Sequence, residues 1–214
     1  MESPYIAHDR RAVAPGAPRV DGAWKVLNAA TAARHAQVES LPLMSALMSP
    51  AVDRGTCVEV LRRMWRVHAG WESANGPRLR ALPWTWRPRA PQLAADLEAL
   101  GEHPADPPPV SPVAAGDAEA WGMLYVVEGS ALGGQLIARH LRRHLPAVGA
   151  VVRHFDGPGP GPGWREFRAT LEEALPDAGA RIRAATAAQA MFGHFHAQLG
   201  MPLAAGERTG TVTA

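Results

Sequence analysis

The sequence predicts an all-α, multi-helical single domain. Hydrophobic residues make up 47% of the 214, enough for a substantial core. They recur at three-and-four spacing in blocks separated by proline and glycine clusters, with no strand pattern between them. The expected organisation is an N-terminal tail over 1–22, a helical domain over 23–200 and a C-terminal tail over 201–214, polar from Gly206 onward.

The first helix runs from Trp24 to Glu39, with Trp24, Leu27, Thr31, Arg34 or His35, and Val38 at helical spacing, and Pro42 breaks it. Ser49 before Pro50 has an N-cap arrangement, and Thr56 with Glu59 forms a capping box opening a second long helix through Val58, Leu61, Trp65, His68 and Glu72. Residues 77–88, bounded by Pro77 and Pro88, read as a turn region. A shorter helix follows from Ala90 to Leu100, closed by Gly101, and the proline-rich stretch 104–112 is a loop. Asp117 is the expected N-cap of a helix through Trp121, Leu124, Ala131 and Gln135 that stops at Pro146. The Gly-Pro repeat over 156–163 is a linker within the domain. Trp164 to Leu175 resumes a helix ended by Pro176, and Ala178 to Leu199 is the last.

Composition excludes several classes. No apolar run approaches transmembrane length, and residues 1–11 lack a secretory pattern, so the sequence predicts no membrane association. A lone Cys57 permits no internal disulfide, which with the missing leader points to a cytoplasmic protein. A net charge of +2 argues against nucleic acid, and a genome rich in G and C accounts for twenty-one of the twenty-two basic residues being arginine. There is no nucleophile elbow, P-loop, C-x-x-C pair or flavin or nicotinamide fingerprint. His194 and His196, two residues apart, point about 200° from one another on a helix and cannot share a metal there.

The most informative segment is Tyr125-Val-Val-Glu-Gly-Ser-Ala-Leu-Gly-Gly-Gln135. It places Gly129, Gly133 and Gly134 inside a helix, forfeiting roughly 3 kcal/mol of helix propensity. Bare backbone there admits either a flat, bulky partner or a second helix packed on the Gly129-x-x-x-Gly133 pair. On the first helix, His35 precedes Glu39 by one turn, a spacing that suits a ligating histidine oriented by a carboxylate and also suits a solvated helix face. His68 and Glu72 repeat that spacing.

Ala30-Thr-Ala-Ala-Arg-His35-Ala-Gln-Val-Glu39, with the 124–135 segment far downstream, resembles the bacterial haem oxygenases, most closely the bacteriophytochrome-associated, biliverdin-producing branch. Trp86-Arg-Pro-Arg89 leading to Leu93-Ala-Ala-Asp-Leu-Glu-Ala-Leu-Gly101, and Phe155 through the linker to Trp164-Arg-Glu-Phe167, are similar to blocks of that branch. The likeness spans roughly residues 24–199. It implies haem b, both cofactor and substrate, sandwiched between a proximal helix and a kinked, Gly-rich distal helix. His35 would be the iron ligand with Glu39 beside it. Gly129, Ser130, Gly133 and Gly134 would form the catalytic distal surface, where backbone amides in place of a bulky side chain favour attack on the haem's own meso carbon. Tyr125, Gly129, Gly133 and Gly134 would contact the macrocycle, and Arg165 and Arg168 its propionates. O2 and an external donor such as ferredoxin, flavodoxin or an NADPH-dependent reductase would supply the chemistry. The expected products are biliverdin, carbon monoxide and ferrous iron, with a bacteriophytochrome as recipient.

Two positions depart from the pattern. Asn28 stands where the branch usually carries an arginine, a contact that Lys25 or Arg34 could supply, and Ser130 stands where animal-type relatives place an aspartate. Other readings of the architecture are a haem-binding or catalytically silent protein, and a non-haem, thiaminase-like or di-iron member. The di-iron variant would have only His35, Glu39, His68, Glu72 and Glu128 to draw on.

Overall fold

The computed structural model describes residues 22–104, 110–157 and 163–202, and every regular element among them is helical. In chain order these are α1 (Ala23–Glu39), α2 (Pro42–Leu47), α3 (Arg54–Ala81), α4 (Ala90–Ala99), α5 (Asp117–His144), α6 (Pro146–Gly149), a 3₁₀ turn (His154–Asp156), α7 (Trp164–Ala174) and α8 (Ala178–Leu199). All but the inner ends of the expected tails and much of the Gly-Pro linker lie outside the described residues. None of the described helices is long and apolar enough to cross a membrane.

The alanine-rich α8 is the spine. Its small buried residues, Ala180, Ala184, Ala187 and Ala188, let α1 and α5 lie close along it, and α3 packs there as well. The closest approach is at Gly122, where a Cβ would stand 2.0 Å from the Ala184 carbonyl oxygen. Close helix packing on a bare glycine is thus realised at Gly122, a position with no helix-pair motif around it. Fully buried Leu27, Leu61, Leu124, Phe167 and Leu171 fill the space between the layers, each contributing about 1.5–3 kcal/mol by leaving water.

Several helix ends are held by side chains from elsewhere. Gly22 gives α1 no side-chain cap, and the Glu172 carboxylate of α7 accepts from the Ala23 and Trp24 amides at 2.6 and 3.0 Å instead. A negative charge there also suits the helix dipole. Glu72 of α3 does the same for α4, accepting from the Arg89 and Ala90 amides. Local caps are Asp53, accepting from Thr56 at 2.7 Å, and Asp177, accepting from Ala180 at 2.8 Å.

Four sequence expectations change. The opening of α3 is capped by Asp53, so Thr56 lies within the first turn as a donor, and Glu59 pairs with Arg63 at 2.5 Å. Ser49 closes a short turn, accepting from the Ala51 amide, and caps no helix. Gly116 precedes α5 in the capping position, while Asp117 is its first residue and pairs with Arg78. The helix α3 also runs past Pro77 to Ala81. Proline removes one helical bond there, yet Asn75 ties this end of the helix to the 112–114 segment, donating to the Pro112 carbonyl and accepting from the Ala114 amide. Tertiary contact overrides the local breaker.

Candidate functional site: a cleft between α1 and α5

Both α1 and α5 lie along α8 but share almost no backbone contact with each other. Two pins hold them. At one end the Tyr125 hydroxyl of α5 lies close to the Thr31 hydroxyl of α1, which itself donates to the Leu27 carbonyl at 2.8 Å. At the other, the His140 imidazole lies 3.0 Å from the Ser49 carbonyl, just beyond α2. The fifteen helical steps of α5 from one pin to the other span roughly 22 Å.

Between the pins, both helices present groups that the chain leaves uncovered. Residues 32–37 of α1 are exposed, His35 among them at 57%. Its Nδ1 lies 3.6 Å from a Glu39 carboxylate oxygen, and the ring edge meets Phe192 of α8 with centroids 5.5 Å apart. Nδ1 faces the carboxylate, so Nε2 is the nitrogen left for a metal. On α5, Ser130, Leu132, Gly133 and Leu136 are exposed, the two leucines at 49% and 56%. An exposed apolar face with a bare glycine in it is a surface built for a partner.

The three glycines do different things. Gly133 opens onto free space, with nothing within 4 Å of where a Cβ would be. Gly129 lies under the Trp164 ring, 3.4 Å from an added Cβ. Gly134 is buried against the backbone of Phe155 in the 3₁₀ turn, 3.4 Å from its carbonyl oxygen, so it serves packing on the far side of α5. The helix runs unbroken through all three, and the Ser130 hydroxyl donates to the Val127 carbonyl at 2.8 Å.

The Tyr125 end of the cleft is closed by aromatic rings and one arginine. Tyr125 packs on Trp164, with centroids 5.7 Å apart, and burial pushes its hydroxyl above the ordinary tyrosine value, so it stays neutral. Arg168 lies over the Trp24 ring, 3.8 Å from the centroid, and its Nε is buried without a hydrogen-bond partner. A buried guanidinium nitrogen lacking an acceptor fits an anionic ligand group. Arg165 points elsewhere: its side chain is 93% exposed and pairs with Glu166. The two arginines therefore do not form one anion site.

The remaining candidates sit away from the cleft. Glu128 turns inward from α5, pairing with Arg89 at 3.1 Å and accepting from the Trp84 indole at 3.3 Å. His68 is buried beside Glu72, with Nδ1 3.7 Å from the carboxylate, and burial holds its imidazole neutral. His194 is buried and His196 exposed, on opposite sides of α8. Among the described residues no three His, Cys, Asp or Glu side chains converge as metal ligands, which removes the structural basis for the di-iron reading. Thr31, His140, Trp24 and Trp164 carry the shape of the cleft, and Thr31 and His140 had no signal in the sequence as partners. Trp24, Thr31 and Trp164 showed only as apolar-face positions.

No family model matches the chain. It is 44% identical over 158 residues to a heme oxygenase of Xanthomonas campestris pv. campestris (strain 8004), covering 72% of this chain and 94% of that protein. Its structure is similar to that of the NO- and CO-bound heme oxygenase from Neisseria meningitidis, with a TM-score of 0.69 and 28% identity over 83% of this chain and 90% of that one.

Proposed function

The chain belongs to the haem oxygenase family, and we propose that it opens haem to biliverdin, carbon monoxide and ferrous iron in the cleft between α1 and α5. The observation that carries the placement is the uncovered face of α5, Leu132, Gly133 and Leu136, together with the exposed His35 on α1, the two helices packed on the same α8. The residues present fit the group: a free imidazole nitrogen, an apolar wall with a bare glycine, and a buried Arg168 Nε lacking an acceptor.

When bound, haem supplies the iron that activates O2 and the meso carbon that is oxidised. The protein's part is to bind, orient and exclude. His35 would bind through Nε2, with the Glu39 carboxylate 3.6 Å from Nδ1 to orient the ring. Leu132 and Leu136 would cover a macrocycle face and keep water from it. Gly133, and the edge of Gly129 left by Trp164, let backbone approach where a side chain would block the oxygen site. Ser130 donates to the Val127 carbonyl of its own helix, so its hydroxyl proton is engaged within the protein. Arg168 receives a propionate, and Arg165, fully solvated, adds at most long-range charge.

Electrons come from an external donor of the ferredoxin, flavodoxin or NADPH-dependent reductase class, a reading supported by the absence of any flavin or nicotinamide fingerprint in the sequence. The sequence blocks around 86–101 and 124–135 support a bacteriophytochrome as the recipient of the biliverdin, in the cytoplasm. Hemin titration followed by single turnover tests the reading. A Soret band should form and be weakened or shifted by His35→Ala, then give way to biliverdin absorbance on reduction under O2, with the isomer read by chromatography. Hemin that binds and survives reduction under O2 would make the protein a carrier or sensor.

A further inference from the structure

Aromatic rings form a continuous path from the α5 side of the cleft to a second, open cleft on the opposite face of α7. Tyr125 touches Trp164 at 5.7 Å, Trp164 stacks on Phe167 at 5.5 Å with planes 17° apart, and Phe167 meets Trp84 at 5.1 Å. Trp84 lines an open cleft of about 650 Å³ together with Trp86, Arg80, Glu166 and Thr170. Trp164 and Arg168 lie on one face of α7, and Glu166 and Thr170 on the face about 200° away. The path therefore crosses the helix layer from inside to outside.

Redox chemistry gives such a path a direction. Tyrosine and tryptophan can each lose one electron, whereas neither accepts one readily, so oxidising equivalents move outward along them as electrons move inward. Phenylalanine is not oxidised in this range and serves as the bridge, stacked on Trp164 and edge-on to Trp84. The outer ring also has a proton acceptor: the Trp84 indole N–H donates to the Glu128 carboxylate, which Arg89 holds in place at 3.1 Å.

We propose that Tyr125, Trp164 and Trp84 form an outlet that drains oxidising equivalents from the bound haem to the cleft beyond α7 when peroxide or O2 reacts there without opening the ring. Trp164 or Tyr125 gives one electron to the haem site and takes one from Trp84. The Trp84 indole proton passes to Glu128. A small soluble one-electron reductant of the ascorbate or thiol class, reaching Trp84 through the open cleft, returns the electron, and Glu128 returns the proton. The net change is one electron from the reductant to the haem site, with each ring restored. The proposal rests on haem binding between α1 and α5.

The test is residue-level oxidation. The hemin complex is treated with hydrogen peroxide without reductant, and tryptophan oxidation is mapped by mass spectrometry beside freeze-quench electron paramagnetic resonance. Oxidation at Trp84 should require hemin, be suppressed by ascorbate and be lost in Trp164→Phe. Trp84→Phe, which leaves the haem cleft untouched, should still give the Soret band while oxidation accumulates on Trp164 and Tyr125. Equal oxidation of Trp84 with and without hemin, or its persistence in Trp164→Phe, overturns the outlet. So does the absence of accumulation on the inner rings in Trp84→Phe. In each of these outcomes the Soret band is present and haem binding stands, whereas a wild-type protein that gives no Soret band removes the haem site itself.

Discussion

The two faces of α5 are built to opposite rules. Its inner face is saturated: Gly122 touches the backbone of α8, Gly134 that of the 3₁₀ turn, and Glu128 is engaged by both Arg89 and Trp84. Its outer face, Ser130, Leu132, Gly133 and Leu136, meets almost nothing in the chain. The inner face spends contacts on fixing the helix so that the outer face can remain unsatisfied without losing its shape. Substitutions on the two faces should therefore separate stability from ligand binding, even between glycines of the same helix.

The largest effect is expected at Gly122. A methyl group there collides with a backbone carbonyl of α8, which no rotamer change relieves. Gly122→Ala should cost about 3 kcal/mol or more by overpacking, against the roughly 1 kcal/mol that alanine gains in helix propensity. The net loss of about 2 kcal/mol or more lowers the melting temperature by at least roughly 4–8 °C in a chain of this length. A thermal scan showing wild-type stability would mean that α5 and α8 are not in backbone contact.

Much of the fold was legible because it is local. The repeating apolar positions and flanking prolines located α1 to within one residue, α4 and α7 to within one, and α8 at both ends, at Ala178 and Leu199. What was not legible depends on residues distant in sequence. Nothing around Pro77 reveals that Asn75 reaches Pro112 and Ala114, and nothing around Gly22 reveals that Glu172 caps α1. The site divides likewise. His35 with Glu39 and the glycine run stand out within single turns, but the pins Tyr125 to Thr31 and His140 to Ser49 join residues about ninety apart. Arg165 and Arg168 looked equivalent in sequence because they are three residues apart. Only the packing of Trp24 draws Arg168 inward.

The next effect concerns pH and lies in the network behind the inner face. Burial raises the Glu72 carboxyl from 4.5 to about 7, only partly offset by the Arg89 and Ala90 amides it accepts from. Below pH 4.5 it is protonated in folded and unfolded states alike. Between about 4.5 and 7 the unfolded carboxyl ionises while the folded one keeps its proton, so the folded state binds more protons and stability falls as pH rises through that window. The loss is on the order of 3 kcal/mol for a shift of this size. Glu72→Gln keeps an acceptor for the two amides and removes the titration. Urea unfolding at pH 4.5 and at pH 7.5 should show a smaller drop in the variant than in the wild type. The buried His68 titrates with the opposite slope in both proteins and cancels from the difference. Identical pH dependence in the two would place the Glu72 carboxyl in water.

The smallest change in stability has the most to say about function. Gly133 faces open space at an interior helix position, so Gly133→Ala adds no clash and restores up to about 1 kcal/mol of helix propensity. The variant should melt a few degrees higher than the wild type, the opposite sign to Gly122→Ala eleven residues earlier in the same helix. Hemin should bind it more weakly or turn over more slowly, because the new methyl group would enter the open space proposed for the macrocycle. Gly133→Leu should strengthen the second effect and keep most of the first. Raised stability with unchanged hemin affinity and turnover in both variants would show that the open face of α5 serves another partner, and would move the haem away from Gly133. Raised stability with impaired haem chemistry would show that this glycine is kept at the expense of the helix for the ligand it admits.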